Sequence, residues 1–355
     1  MDVLVLGGGV IGCAVAYYLA QAGATVTLLE RDTCARHASG AAAGILDPFH
    51  IERPVRNWAE ASLNLFGPVC AQIKEVTGID PLYDPNIRKI SVSYESSPKL
   101  SHELLEEGLE KLSLQEALAL VPQLNPDIDH AVLYPPVPCL DAKRYTQGLA
   151  KLITSLGVQV LENTQVDQLL IQQERVVGVQ AGDQTFYADQ VVDCTGSWAG
   201  ILTPLATSIR PARGQIIVIQ TPPGWLSHVV YAPGDTYLGP KLDGRILLGS
   251  TVEDAGYDES VTVEGALGIL ARATKAVPAI AQFPLLACWG GLRPRSRDDF
   301  PVIGPHPTLK NLWIATGHFR NGVILSLITG QELAPWILQN IPSSLLLKDP
   351  VRSVP

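Results

Sequence analysis

The sequence predicts an α/β fold: a Rossmann-like dinucleotide-binding domain interrupted by a discontinuous second domain built on an antiparallel sheet. Three stretches carry that prediction. Near the N-terminus, Gly7, Gly9 and Gly12 form a GxGxxG pattern between an apolar strand and an apolar helix, with Glu30 eighteen positions past the last glycine. Residues 210–289 alternate in the manner of paired strands, and the chain returns at LWIATG and Gly322–Leu338 to a strand followed by an apolar helix.

Val3–Leu6 is a short apolar run of the kind buried in a parallel sheet. Gly7 permits the tight turn out of it, Gly9 lets the backbone approach a pyrophosphate, and Gly12 lets the following helix close on the sheet. The phosphates then meet the free N–H groups of the helix N-terminus. Thr25–Leu29 supplies the next strand, and Glu30 at its end is placed to accept hydrogen bonds from ribose hydroxyls; it would repel a 2′-phosphate, which disfavours NADP. The motif leaves FAD and NAD both open. His37–Leu46 (HASGAAAGIL) is too rich in Gly and Ala for an ordinary helix start and reads as a cofactor loop made for close backbone approach. Arg56–Thr77 has helical spacing through Trp58, Ala61, Leu65, Val69 and Ile73, with Gly78 as its C-cap.

From Ile79 the character changes, to a strand at Lys89–Ser93, a charged helix near His102–Lys111, a second helix near Leu114–Leu120 and the Pro-rich connector YPPVPCLD. Asp141–Leu156 returns to helix, followed by the strand VQVLEN, a hairpin-like pair (Val166–Gln172 and Arg175–Ala181) and the strand Gln190–Gly196. GQIIVIQ, HVVYA, TYLGPK and RILLGST, with one helix around Val263–Val277, build the antiparallel sheet. The expected boundaries are 1–80, 138–210 and 290–345 for the cofactor domain, 81–137 and 211–289 for the substrate domain, and 346–355 for a tail.

A chain of 355 residues has room for both domains, and 46% hydrophobic against 17% charged residues supplies a substantial core. The formal net charge of −9, without a long basic run, argues against nucleic acid and an anionic membrane surface as partners. No apolar stretch reaches the length of a membrane span and the first strand begins by residue 3, so a cytoplasmic protein without a signal peptide is expected. The six cysteines (Cys13, Cys34, Cys70, Cys139, Cys194, Cys288) show no CxxC and no Cys/His cluster at metal spacing. Most of them read as buried thiols, and no metal site is expected.

Four segments together resemble the FAD-dependent D-amino-acid oxidase superfamily, most closely its glycine oxidase branch, which serves thiamine (thiazole) formation. They are GGGVIGCAVAYYLA…LLER, the SGAAAGIL loop, GLRP at Gly291–Pro294 and TGHFRNGVILSLITG at Thr316–Gly330, and they follow the family's order over nearly the whole chain. The resemblance implies FAD, with contacts at Val10 and Ile11 in the first turn, Glu30 and Arg31 at the ribose, and Ala38 and Ser39 at the pyrophosphate. It implies Ala43, Gly44 and Ile45 along the isoalloxazine, Val166 at the adenine, and Gly196 at the end of its strand among the cofactor contacts. The run His318, Phe319, Arg320, Asn321, Gly322, Val323 and Ile324 would pass the flavin pyrimidine ring, where the positive end of the helix begun by Gly322 favours a reduced, anionic ring. Covalent attachment, as in monomeric sarcosine oxidases, needs a cysteine where this chain reads PRSRDDFPVIG, so non-covalent FAD is expected.

Arg293 is the expected substrate-binding residue, because GLRP places a guanidinium just beyond a buried apolar strand (LLACWGG), where it can hold a carboxylate bidentately. The resemblance implies the same, and adds that Tyr237 donates its hydroxyl to that carboxylate and that Arg320 presents its backbone carbonyl to the substrate amine. No catalytic side chain is needed: an uncharged amine can release its α-hydrogen as hydride to flavin N5 while the lone pair forms the imine. The protein then has to orient and desolvate. The implied activity is oxidative deamination of glycine, or of sarcosine or small D-amino acids, to imine and oxo acid, ammonia and hydrogen peroxide, with dioxygen as acceptor and a homo-oligomer as the usual family state. Asp47, Pro48, Phe49 and His50 follow the flavin loop at the expected entrance and bear on the choice among these substrates. A dehydrogenase serving another acceptor, or a non-catalytic flavin-binding subunit of an oxidase complex, would carry the same motifs. Peroxide yield separates the first from an oxidase, and the effect of Arg293→Ala the second.

Overall fold

In the computed structural model, which describes residues 1–94, 109–203 and 209–343, the chain builds two large sheets and one small one. β1 (Asp2–Leu6), α1 (Val10–Gln21) and β2 (Thr25–Leu29) form the opening parallel unit. After α2 (Ala38–Ala41) and α3 (Val55–Thr77) the chain crosses to the second sheet with β3 (Arg88–Ser93), β4 (Glu110–Leu112), α4 (Leu114–Leu120) and β5 (His130–Pro136). It returns through α5 (Ala142–Ser155), β6 (Gln159–Leu161), the meander β7, β8 and β9 (Gln168–Gln172, Arg175–Ala181, Gln184–Tyr187) and β10 (Gln190–Asp193), which lies parallel to β1.

A short α6 (Ala199–Leu202) precedes β11 (Arg210–Gln220), β12 (Val229–Ala232), β13 (Thr236–Pro240), β14 (Arg245–Gly249), α7 (Val263–Ala276) and β15 (Leu285–Arg295), which complete the second sheet. β16 (Val302–Pro305), β17 (Leu312–Thr316) and α8 (Gly322–Gln339) rejoin the first. The strand orders are β16-β17-β10-β1-β2-β6 and β15-β11-β14-β13-β12-β3-β5-β4.

The central strands of the first sheet are covered on both faces, which is why they read as continuous apolar runs. α1 and α8 are apolar all round because both lie inside the same core. Their backbones approach so closely that a Cβ on Gly330 would stand 2.5 Å from Ala14 O. Local signals set the helix ends: Ser113 and Glu116 form a capping box on α4, and Asp141 caps α5 by accepting from Arg144 N at 2.9 Å. No helix among the described residues is long and apolar enough to cross a membrane.

Several expectations change. Most of the charged helix expected at His102–Lys111 lies outside the described residues, as does the tail at 346–355; Glu110 and Lys111 are strand, paired with β5. Ala38–Ala41 of the small-residue loop is a one-turn helix. LLACWGG is not a buried strand preceding Arg293. It is the start of β15, an edge strand on which Leu285 and Leu286 are 57% and 54% exposed, and Arg293 lies inside β15 opposite Ala212. Apolar composition does not say whether a strand sits at the centre of a sheet or at its edge. Five cysteines are buried and Cys288, on that edge, is exposed.

Candidate active site

A cavity of ≈1040 Å³ runs between the two large sheets, lined from the first by residues such as Gly7, Glu30 and Gly196 and from the second by Ile216, Tyr231, Tyr237 and Arg293. Of the residues expected to contact cofactor or substrate, all line it except Gly12; of the four expected at the entrance, Asp47 and His50 line it and Pro48 and Phe49 do not. A Cβ on Gly12 would lie 1.9 Å from Gly7 O, so this glycine acts in closing α1 on the turn and not in touching a ligand.

Gly7, at φ 104°, turns the chain from β1 into α1, and a Cβ there would meet Cys194 O at 2.6 Å. α1 has no side-chain cap and no acidic residue in its first turn. Val10 N donates to Ser39 Oγ at 2.9 Å, which leaves the serine hydroxyl proton able to donate. An open helix N-terminus of this kind favours an anion. Glu30 is buried, its Oε2 accepting from Gly8 N at 2.6 Å and its Oε1 from Asp32 N at 2.9 Å. A carboxylate accepts about four hydrogen bonds, so capacity remains for ribose hydroxyls. The Arg31 guanidinium lies 3.8 Å from the Trp198 ring centroid and donates to Asp32 Oδ2 at 3.0 Å. The turn, the uncapped helix and the buried acid fit a dinucleotide.

The far wall suits a ring. Ala43, Gly44 and Ile45 line the cavity, as does the N-terminus of α8, which again has neither side-chain cap nor acid. His318 is buried, with Nε2 3.2 Å from Thr329 Oγ1, whose hydroxyl donates to Leu325 O at 2.8 Å. That assigns the proton to Nε2 and leaves Nδ1 an acceptor with no partner among the described residues. Burial pushes the His318 pKa down to about 3 from 6.5. Between these values the unfolded chain takes up a proton that the folded one does not, so stability held above pH 6.5 is lost on acidification by at most about 1.4 kcal/mol per pH unit. His318→Gln is expected to flatten the dependence of the urea midpoint on pH in that window, and an equal slope in the variant would contradict it.

At the substrate end, the Arg293 guanidinium donates from Nη1 to Thr251 O at 3.0 Å and from Nη2 to Ser250 Oγ at 2.9 Å. It lies against Gly214 of β11, where a Cβ would fall 2.1 Å from Nη1. These contacts fix the planar group from one side and leave its remaining N–H donors for a ligand. Gly214→Ala is therefore expected to raise KM for a carboxylate substrate about tenfold or more by tilting Arg293, measured by steady-state kinetics; an unchanged KM would show that the guanidinium adapts. Gly249 makes room for Tyr237 in the same way, since a Cβ there would stand 2.4 Å from its hydroxyl. Burial pushes the Tyr237 phenol up, against the pull of Arg293, so it stays protonated as a donor. Arg320 pairs with Asp235 at 3.0 Å across an exposed part of the cavity rim.

Asp47 and His50 line the cavity as expected of an entrance, whereas Phe49 packs on Tyr134 with ring centroids 5.4 Å apart. Asp47 accepts from the buried Lys89 ammonium at 2.8 Å. Sequence reasoning missed Gly214, Ser250, Trp198 and Tyr231. Trp198 carried a signal, standing just past Gly196 in CTGSW; Gly214 and Ser250 acquire their roles only when β11, β14 and β15 pair.

A family model described as FAD dependent oxidoreductase matches residues 2–336. Glycine oxidase of Geobacillus kaustophilus is 32% identical over 346 residues, 94% of this chain and 92% of that protein. The bifunctional protein ThiO/ThiG of Trichormus variabilis is 31% identical over 97% of this chain and 54% of its own length. The crystal structure of glycine oxidase from Bacillus cereus superposes with a TM-score of 0.91 at 29% identity, covering 97% of this chain and 96% of that one.

Proposed function

Because the chain belongs to the FAD dependent oxidoreductase family, we propose that it is a glycine oxidase, converting glycine to its imine and oxo acid with release of ammonia and hydrogen peroxide. The observation that carries this reading is one continuous cavity joining the dinucleotide cradle of Gly7–Ile11 and Glu30 to a half-buried guanidinium at Arg293, fixed by Thr251 O and Ser250 Oγ. When bound, FAD would supply the two-electron oxidation of the substrate, with dioxygen as the final acceptor. Arg293 grips the substrate carboxylate and Tyr237 adds its hydroxyl proton to the same group. The Arg320 backbone carbonyl receives the amine, and the surrounding walls exclude water. Val10, Ile11, Ser39 and Glu30 hold the nucleotide, and Ala43–Ile45 with His318–Ile324 frame the ring.

Sarcosine and small D-amino acids are the alternative substrates, and delivery of the imine to thiazole formation is the proposed place in thiamine biosynthesis. A cytoplasmic homo-oligomer goes with this reading. The edge strand β15, with Leu285 and Leu286 exposed, supports self-association. Light scattering is expected to return a mass above that of one chain, and a monomer would remove this part. The decisive experiment is the visible spectrum. Purified protein should be yellow and anaerobic glycine should bleach it; a flavin left oxidised by glycine, sarcosine, D-alanine and D-proline ends the proposal.

A further inference from the structure

Lys241 is buried, 5% exposed, just past the end of β13, and it does not line the cavity. Its ammonium sits 2.6 Å from Ala43 O and 2.7 Å from Leu140 O. The nearest acids are engaged elsewhere: Arg245 binds Asp141 at 2.5 Å and Asp243 at 2.8 Å. Burial pushes the Lys241 ammonium down from its ordinary value. A buried cation is costly unless its partners hold it well, and here its hydrogen-bond partners among the described residues are two peptide carbonyls.

Those carbonyls matter because of what lies on the other side of their peptides. Ala43 O faces Lys241, and Gly44 O accepts from Leu140 N at 2.9 Å, so both point away from the cavity. In a trans peptide the N–H points opposite to the C=O. The Gly44 and Ile45 N–H groups therefore face the cavity that both residues line, and neither has an acceptor among the described residues. Buried backbone N–H groups are rarely left unpaired. Gly44 is also at φ 67°, with its Cβ position 2.2 Å from Leu140 O, so no other residue fits there.

We propose that Lys241 is a positioning residue for the flavin: by claiming the Ala43 carbonyl it turns the Gly44 N–H toward the ring, by holding Leu140 O it steadies the residue whose N–H fixes Gly44 O and so the Ile45 N–H, and it thereby raises the ring's reduction potential. Donors fixed beside a ring that gains electrons favour its reduced form, and fixing them in advance removes reorganisation from the reaction. The inference rests on the FAD oxidase reading above.

The test is Lys241→Met in the holoenzyme, with the midpoint potential measured by dye equilibration beside kcat, KM and the melting temperature. The expected result is a more negative midpoint and a kcat lower by about 10- to 100-fold, with KM within about twofold. A midpoint equal to that of the unmodified protein, even with a lowered melting temperature, overturns the proposal and leaves Lys241 a structural strut. Should the methionine variant not accumulate as folded yellow protein, Lys241→Gln is read instead, and its midpoint decides in the same way. Unmodified enzyme that glycine reduces, with variants whose midpoint does not move, overturns the role of Lys241 alone. Unmodified enzyme that glycine cannot reduce overturns the oxidase reading itself.

Discussion

Arg293→Ala is expected to lower kcat/KM for glycine by about 10²- to 10³-fold, the effect of removing one partner of a buried charge pair. Glycine offers the protein only a carboxylate and an amine, so little else can compensate. The lost group is held by Thr251 O, Ser250 Oγ and the open face of Gly214, and of these only the Ser250 hydroxyl can donate, as a single neutral group that does not replace a charged fork. Arg293→Lys should rescue little, because a point charge on a flexible stem does not reproduce a planar fork anchored at two nitrogens. The visible spectrum of both variants should remain that of the unmodified holoenzyme, since Arg293 is not among the residues proposed to hold the flavin. Steady-state oxygen consumption decides the matter, and a change of less than threefold would remove Arg293 from substrate binding.

Gly12→Ala is expected to abolish cofactor retention. The added carbon would lie 1.9 Å from Gly7 O, a backbone atom that cannot swing aside, so either α1 lifts from the turn or the turn opens. Both movements displace the N–H groups of Val10 and Ile11. Gly268→Ala in α7 is the control, because a Cβ there meets only the far end of the flexible Arg272 side chain, at 3.2 Å, and alanine favours a helix. The ratio of flavin to protein after gel filtration should fall close to zero for the first variant and stay unchanged for the second. A yellow Gly12→Ala protein would show that the turn is more tolerant than its spacing indicates.

What could be read in the letters was local. The GxGxxG turn, the strand before it and Glu30 after it are fixed by contacts within thirty residues, and the structure places them together. Arg293 was visible through GLRP, but its setting differs from the one expected: β15 is an exposed edge at its start, and the arginine is half-buried against the neighbouring strand β11 instead. Gly214, Gly249, Ser250 and Lys241 left no trace in the sequence. Each matters only through a neighbour brought up by strand pairing, and neither glycine stands at a turn that would have marked it. The helix expected over His102–Lys111 fails at its end for a related reason, since Glu110 and Lys111 are captured by β5.

The walls of the cavity are contributed by residues from Leu6 to Ile324, alternating between two sheets. A polypeptide leaving the ribosome therefore carries the proposed phosphate cradle long before it owns the wall proposed to frame the ring, which arrives only with α8. Flavin uptake belongs to the finished chain, and a product of premature termination short of that helix would emerge colourless however well its first thirty residues had folded.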